Sequence, residues 1–132
     1  MQALRIKLKA ARRLGQSKLA LETGRTLVRH KAFPEEAGKA IMAKLASDMI
    51  ASASDPQQLE TFWKKLDKTE RAQPDVALQA AQRMIALQGN IEQARIWLLP
   101  VWELYAAQPE NLSPKQRSQL INALQSSDQA ID

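Results

Sequence analysis

The sequence predicts an all-α chain of about seven helices, joined by short loops into antiparallel pairs. Three observations carry this. Alanine, leucine, glutamine, lysine and arginine dominate, and these residues lose least on entering a helix, while aromatic residues make up only 5%. Apolar residues recur at helical spacing, and no segment alternates apolar and polar as a half-buried strand does. Prolines follow cap-competent or polar residues at Asp55-Pro56, Gln73-Pro74 and Ser113-Pro114, the arrangement that opens helices.

The first predicted helix runs from about Ala3 to Leu14 on Leu4, Leu8 and Ala11, and Gly15 ends it. The second starts near Gln16, turns Ala20, Leu21, Leu27 and Val28 inward, and stops by Phe33-Pro34, because a residue before proline is pushed out of helical geometry. Pro34 opens the third, where Glu35 and Glu36 complement the helix dipole and Ile41, Met42, Leu45, Met49 and Ile50 follow. Asp55 caps the fourth, whose apolar stripe is Leu59, Phe62, Trp63 and Leu66. The fifth opens at Pro74 and runs through Leu78, Ala81 and Ile85 to Gly89. The sixth carries Ile91, Ala94, Trp97, Leu98, Val101 and Tyr105, with Pro100 expected to bend it because proline has no N–H to donate to the carbonyl of Ile96. Ser113-Pro114-Lys115-Gln116 is a capping box that opens a short last helix with Leu120, Ile121 and Leu124. Trp63, Trp97 and Leu98 are expected to be largely buried, linking neighbouring pairs.

Gly15 precedes Ala20 by five residues, and Gly89 precedes Ala94 by five, each glycine between two helices. With a third pair hinged at Asp55-Pro56, the spacing approaches the ~34-residue period of tetratricopeptide repeats. The resemblance rests on period more than on letters: Ala94 and Leu98 match the second-helix pattern, whereas Ala20 is followed by Gly24. It implies a right-handed solenoid of helix pairs. One domain is expected over residues 1–125, with pairs over 1–31, 35–71 and 74–107, a final helix over 114–125, and a frayed tail over 126–132.

The formal net charge is +5. Residues 1–31 hold nine cations against one acid, Glu22, a balance of +8 that leaves −3 for the rest. Within the first helix Arg5, Lys9, Arg12 and Arg13 form one stripe, distinct from Leu4, Leu8 and Ala11. In tetratricopeptide stacks the first helix of each pair lines a concave groove. The resemblance therefore puts Arg5, Lys9, Arg12 and Arg13 on that lining, joined by Lys44 and Arg83. Such a groove suits an acidic peptide or a terminal carboxylate, which arginine forks match. A solvated helix face is the competing reading of the same stripe.

Catalytic signals are missing, and the expectation is a binding protein rather than an enzyme. The chain has no cysteine, which removes thiolate chemistry and disulfides. There is no glycine-rich phosphate loop, no nucleophile-elbow serine and no defensible carboxylate pair. Glu60, Asp67 and Glu70 alternate with Lys64, Lys65, Lys68 and Arg71 and read as a solvated face. The single His30 reads as a helix-end residue, with haem ligation as the sharper alternative. No metal site and no cofactor is expected. No apolar run reaches the ~18 residues that cross a bilayer.

The run Leu27-Val28-Arg29-His30-Lys31-Ala32-Phe33-Pro34-Glu35-Glu36-Ala37, the segment Leu59 to Leu66 and the block from Pro74 to Tyr105 resemble the tetratricopeptide portion of HemY-type proteins. These are bacterial inner-membrane proteins associated with late haem biosynthesis. The resemblance implies a protein-interaction scaffold, the soluble portion of a membrane-anchored protein, with the cytoplasmic side favoured. Its partner would be a protein or acidic peptide, and no nucleic acid is expected. Two rival readings are a haem- or porphyrin-binding module, and a nucleic-acid-binding domain using the basic N-terminal pair.

Overall fold

The computed structural model describes residues 2–131, and within them the chain forms eight α-helices and one 3₁₀ turn, with no strand. In order these are α1 (Gln2–Arg13), α2 (Ser17–Arg29), α3 (Glu35–Ala51), α4 (Pro56–Lys65), α5 (Lys68–Arg71), α6 (Pro74–Ala86), α7 (Ile91–Ala107), the 3₁₀ turn Pro109–Asn111 and α8 (Pro114–Ile131). The additional helix arises because the fourth predicted helix breaks. Leu66 takes extended backbone, and Asp67 starts α5 with a full capping box. Its carboxylate accepts from the Glu70 N–H at 2.8 Å, and the Glu70 carboxylate accepts from the Asp67 N–H at 2.9 Å. Asp67-x-x-Glu70 is a helix-start signal lying inside a run whose alternating charges suggest a solvated helix face.

The other starts lie where local chemistry puts them. Asp55 caps α4 by accepting from the Gln58 N–H at 2.8 Å, and Gln58 reaches back to the N–H of Ser54. Ser113 and Gln116 exchange both bonds of the capping box at α8. Helix α8 continues to Ile131, past the boundary expected near 125 for a frayed end. Arg95 of α7 holds its last turns by hydrogen bonds to the buried Ser127 hydroxyl, at 3.2 Å, and to Asp128. Asp132 lies outside the described residues.

Helices α1, α2 and α6 end in the same way. The residue at the turn takes positive φ, and two overlapping bonds close the helix onto its last carbonyls. That residue is Gly15 after α1, Lys31 after α2 and Gln88 after α6. Gly89 therefore stands one place after the position that needs a glycine's φ. Its own requirement is space, because an added Cβ would lie 2.8 Å from Cβ of Pro56.

Helix α3 packs on both α2 and α6, and α6 on α7 and α8. Helices α3, α6 and α8 thus form one row. Helix α1 is packed on α2 and makes no comparable contact with α3. The core is one cluster that includes Leu21 and Leu27 from α2, Leu45, Met49 and Ile50 from α3, Leu59 from α4, Val76, Leu78 and Met84 from α6, Leu98 from α7 and Leu120 from α8.

Trp97 and Leu98 are buried as expected, but Trp63 is only half-buried. Trp63 stacks on Trp97 with centroids 4.6 Å apart and so joins α4 to α7. Helix α7 is covered on one side alone, leaving Ile96, Leu99 and Trp102 exposed. No helix among the described residues is long and apolar enough to cross a membrane.

Candidate functional site

The row α3–α6–α8 presents a groove of about 630 Å³. Helix α3 contributes Glu36, Lys39, Ala40, Ala43, Lys44 and Ser47, which share one face by their spacing. Helix α6 contributes Asp75, Leu78, Gln79 and Gln82, and α8 contributes Lys115, Gln116 and Gln119. Its charges are largely satisfied within the chain. Lys44 pairs with Asp48 at 3.2 Å, and Lys39 lies 3.7 and 3.8 Å from Glu35 and Glu36. The Gln116 side chain donates to Asp75 at 2.8 Å, locking α8 to the start of α6. Gln79, Gln82 and Gln119 differ. Each is half-buried, and among the described residues none of these amides has a hydrogen-bond partner in the chain. Each amide offers two donors and an acceptor, so together they form a polar surface open to water or a ligand.

The expected basic groove does not assemble. Of its six residues, only Lys44 lines this groove. Lys9, Arg12 and Arg13 are exposed on α1, outside the row because α1 packs on α2. Arg5 and Arg83 are used structurally. Arg5 donates to the carbonyl of Ala32 at 2.6 Å and lies 5.0 Å over the Phe33 ring, stitching α1 to the link after α2. Arg83 donates twice to the carbonyl of Ala53, at 3.1 and 2.8 Å, fixing α6 to the turn after α3. Arg71 does the same for α4, at the carbonyls of Trp63 and Lys64. The carbonyls of Trp63 and Lys64 lie in the last turn of α4, where positive charge is favoured, whereas those of Ala32 and Ala53 lie in the links just beyond α2 and α3.

A second concavity, of about 1290 Å³, lies between α2, the α2–α3 link, α3 and the α4–α5 corner. One of its walls is tied by an ion pair. Arg25 of α2 forks onto Glu70 of α5 through Nε, at 2.9 Å, and Nη2, and Nη2 also donates to the carbonyl of Lys65. Glu70 is buried, so its place on a solvated face is corrected. The hydrogen bond to Glu70 is the first reason that the Arg25 guanidinium is held above its usual range. At the rim, Lys65 lies beside Lys18. Hydrogen bonding with that neighbour, which only a neutral amine can accept, and the like charge push the Lys65 ammonium below the usual lysine range.

His30 is the exposed C-cap of α2. No cluster of three or more metal-ligating side chains occurs among the described residues. Comparison with family models, with curated proteins and with solved structures finds no match to this chain.

Proposed function

We propose that the chain is a protein-interaction module of tetratricopeptide-like helix pairs that holds an extended peptide segment in the α3–α6–α8 groove. The single observation that carries this is the set of half-buried amides without intramolecular partners, Gln79, Gln82 and Gln119, on two neighbouring helices. An extended chain presents backbone donors and acceptors along its length at about 3.3 Å per residue. Carboxamides suit such a ligand because each can give and accept at once. Ala40 and Ala43 keep the α3 side low. Lys115, which has no ion pair among the described residues, adds positive charge at one edge and suits an acidic side chain or a terminal carboxylate, whereas Lys44 is already paired with Asp48. Arg5 and Arg83, expected there from the sequence, take no part.

The resemblance of residues 27–37 and 59–105 to HemY-type proteins supplies the expected setting. In that reading the module belongs to a membrane-anchored protein of the bacterial inner membrane, beside late haem biosynthesis, and the segment it holds comes from a partner in that process.

Selection of peptides from a random displayed library against the chain tests the groove. Selected peptides should perturb the side-chain amide signals of Gln79, Gln82 and Gln119. Gln82→Ala with Gln119→Ala should weaken them about tenfold or more, the loss of one to two net hydrogen bonds. Peptides that bind the double variant as well as the parent would defeat this reading.

A further inference from the structure

The cleft beside Arg25 is a second surface that adjoins the groove, with Lys39 and Gln73 lining both. Its origin is the break after Lys65. Helix α4 stops, Leu66 extends, and α5 brings Glu70 to Arg25 of α2, so that Lys65, Leu66, Asp67, Thr69 and Glu70 form one wall of the cleft.

We propose that this cleft docks an acidic amphipathic helix of a partner protein. Three observations carry the inference, and it stands independently of the groove reading. The first is size. At about 1290 Å³ the cleft exceeds the ~300–1,000 Å³ usual for small-molecule sites and equals roughly three turns of a helix about 10 Å across. The second is its floor. Met42 and Leu66 are buried beneath it, with Phe33 half-buried and Val28 exposed beside them, a strip that apolar side chains one helical turn apart would fill.

The third is charge. Glu70 is consumed by Arg25 and Asp67, the Asp67 carboxylate caps α5, and Glu35 pairs with Lys39. That leaves Glu22 as the one lining carboxylate without such a bond among the described residues, against Arg29, Lys31 and Lys65, which have no ion pair there. Lys18 beside Lys65 extends the same edge. An apolar strip bounded by unpaired cations fits a helix with one apolar face and acids on its flanks. Exposed Lys31 has no hydrogen bond or ion pair to give up among the described residues, and Arg29 gives up only an exposed 3.2 Å bond to the Thr26 hydroxyl.

The test uses the full chain and three labelled peptides of about four helical turns. One has leucines on one face and glutamates elsewhere; one has the same composition without an apolar face; one carries lysine for each glutamate. Fluorescence anisotropy should show the first binding at least about tenfold more tightly than the others, and weakening as salt rises from low to physiological strength. Its backbone signals of Val28, Gly38 and Thr69 should shift. Val28→Glu, and separately Arg29→Glu with Lys31→Glu, should each weaken it about tenfold or more while melting curves stay unchanged, since all three side chains are exposed.

Equal binding of the three peptides, or no binding by the first, overturns the proposal. Capture of phosphatidylserine-containing vesicles in preference to the acidic peptide would assign the edge to a lipid surface. A concentration-dependent dimer abolished by Val28→Glu would assign the cleft to a second copy. Either result replaces the partner helix.

Discussion

The guanidinium of Arg83 straddles the carbonyl oxygen of Ala53, donating from Nε at 3.1 Å and from Nη2 at 2.8 Å. Ala53 is fully buried, in the turn between α3 and α4, so its carbonyl has few alternatives to this arginine. Removing the donor while keeping the aliphatic stem leaves a buried acceptor unpaired. Arg83→Met should therefore lower stability by about 2 kcal/mol, within the usual cost of such a loss. Lys44→Ala, which loses one exposed i,i+4 pair, should stay within about 0.5 kcal/mol of the parent. Urea denaturation of both variants checks the contrast. Equal effects would return Arg83 to the set of groove residues.

Arg25 and Glu70 supply a second expectation. Glu70 is 4% exposed, but the Arg25 side chain keeps 30% of its surface, so solvent screens part of the attraction. Glu70→Ala removes the fork and the reciprocal half of the α5 capping box, leaving Arg25 partly buried without its partner. A loss of about 2–4 kcal/mol follows, below the upper values for pairs fully out of water. A double-mutant cycle with Arg25→Met should give a coupling of about 1–3 kcal/mol. Coupling near zero would mean that the cap, not the ion pair, holds α5.

The helix endings offer a test in the stabilising direction. Gln88 pays for a left-handed conformation that costs an ordinary residue about 1–2 kcal/mol, part of which glycine's greater freedom in the unfolded chain takes back. Gln88→Gly should raise stability by about 0.5–1 kcal/mol. Gly89→Ala should lower it, since its Cβ would press on Pro56. The opposite pattern in thermal melts would show that Gly89, not Gln88, occupies the left-handed turn.

These endings also show what the sequence could and could not display. Helix starts are legible because a cap is a local event: Asp55 to Gln58 and Ser113 to Gln116 span four residues each. Gly15 marked one ending, but Lys31 and Gln88 carry the same geometry without a glycine, and no letter announces them. The break at Leu66 had a local signal in Asp67 and Glu70, obscured by the lysines around it. The site was the least legible part. A charged stripe fixes which face of a helix is basic, not what that face meets. Arg83 finds Ala53 from 30 residues away, and Arg25 finds Glu70 from 45. Only the packing of helices makes those partners neighbours. The free amides of the groove carried no signal, because glutamine on a helix surface is ordinary until a concavity forms around it.

Trp63 tests how far a half-buried aromatic contributes. A fully emptied tryptophan site costs about 3–5 kcal/mol. Trp63 retains solvent contact on one side but stacks on Trp97, and such pairs add about 0.5–1.5 kcal/mol. Trp63→Ala should fall near 2–3 kcal/mol, and Trp97→Ala, at a buried position, should cost more. Chemical denaturation of the two variants orders them. A larger loss at Trp63 would mean that the α4–α7 contact matters more than burial indicates.

The basic stripe of α1 yields the last expectation, because its place in the fold separates affinity from steering. Lys9, Arg12 and Arg13 are exposed and lie outside the α3–α6–α8 row, so a peptide seated among Gln79, Gln82 and Gln119 does not touch them. Their charge still adds to the field of the N-terminal pair. Replacing all three with glutamine should leave stability within about 0.5 kcal/mol. It should slow the association of an acidic peptide at low salt by a few-fold, because unscreened charge raises encounter rates. Near physiological salt the screening length is only about 8 Å, and the difference should vanish. Dissociation should be unchanged throughout, since no contact made in the bound state is lost. Stopped-flow measurements across ionic strength separate the two quantities. Faster dissociation of the triple variant at physiological salt would mean that the stripe touches the ligand, and would move the binding site from the groove to α1.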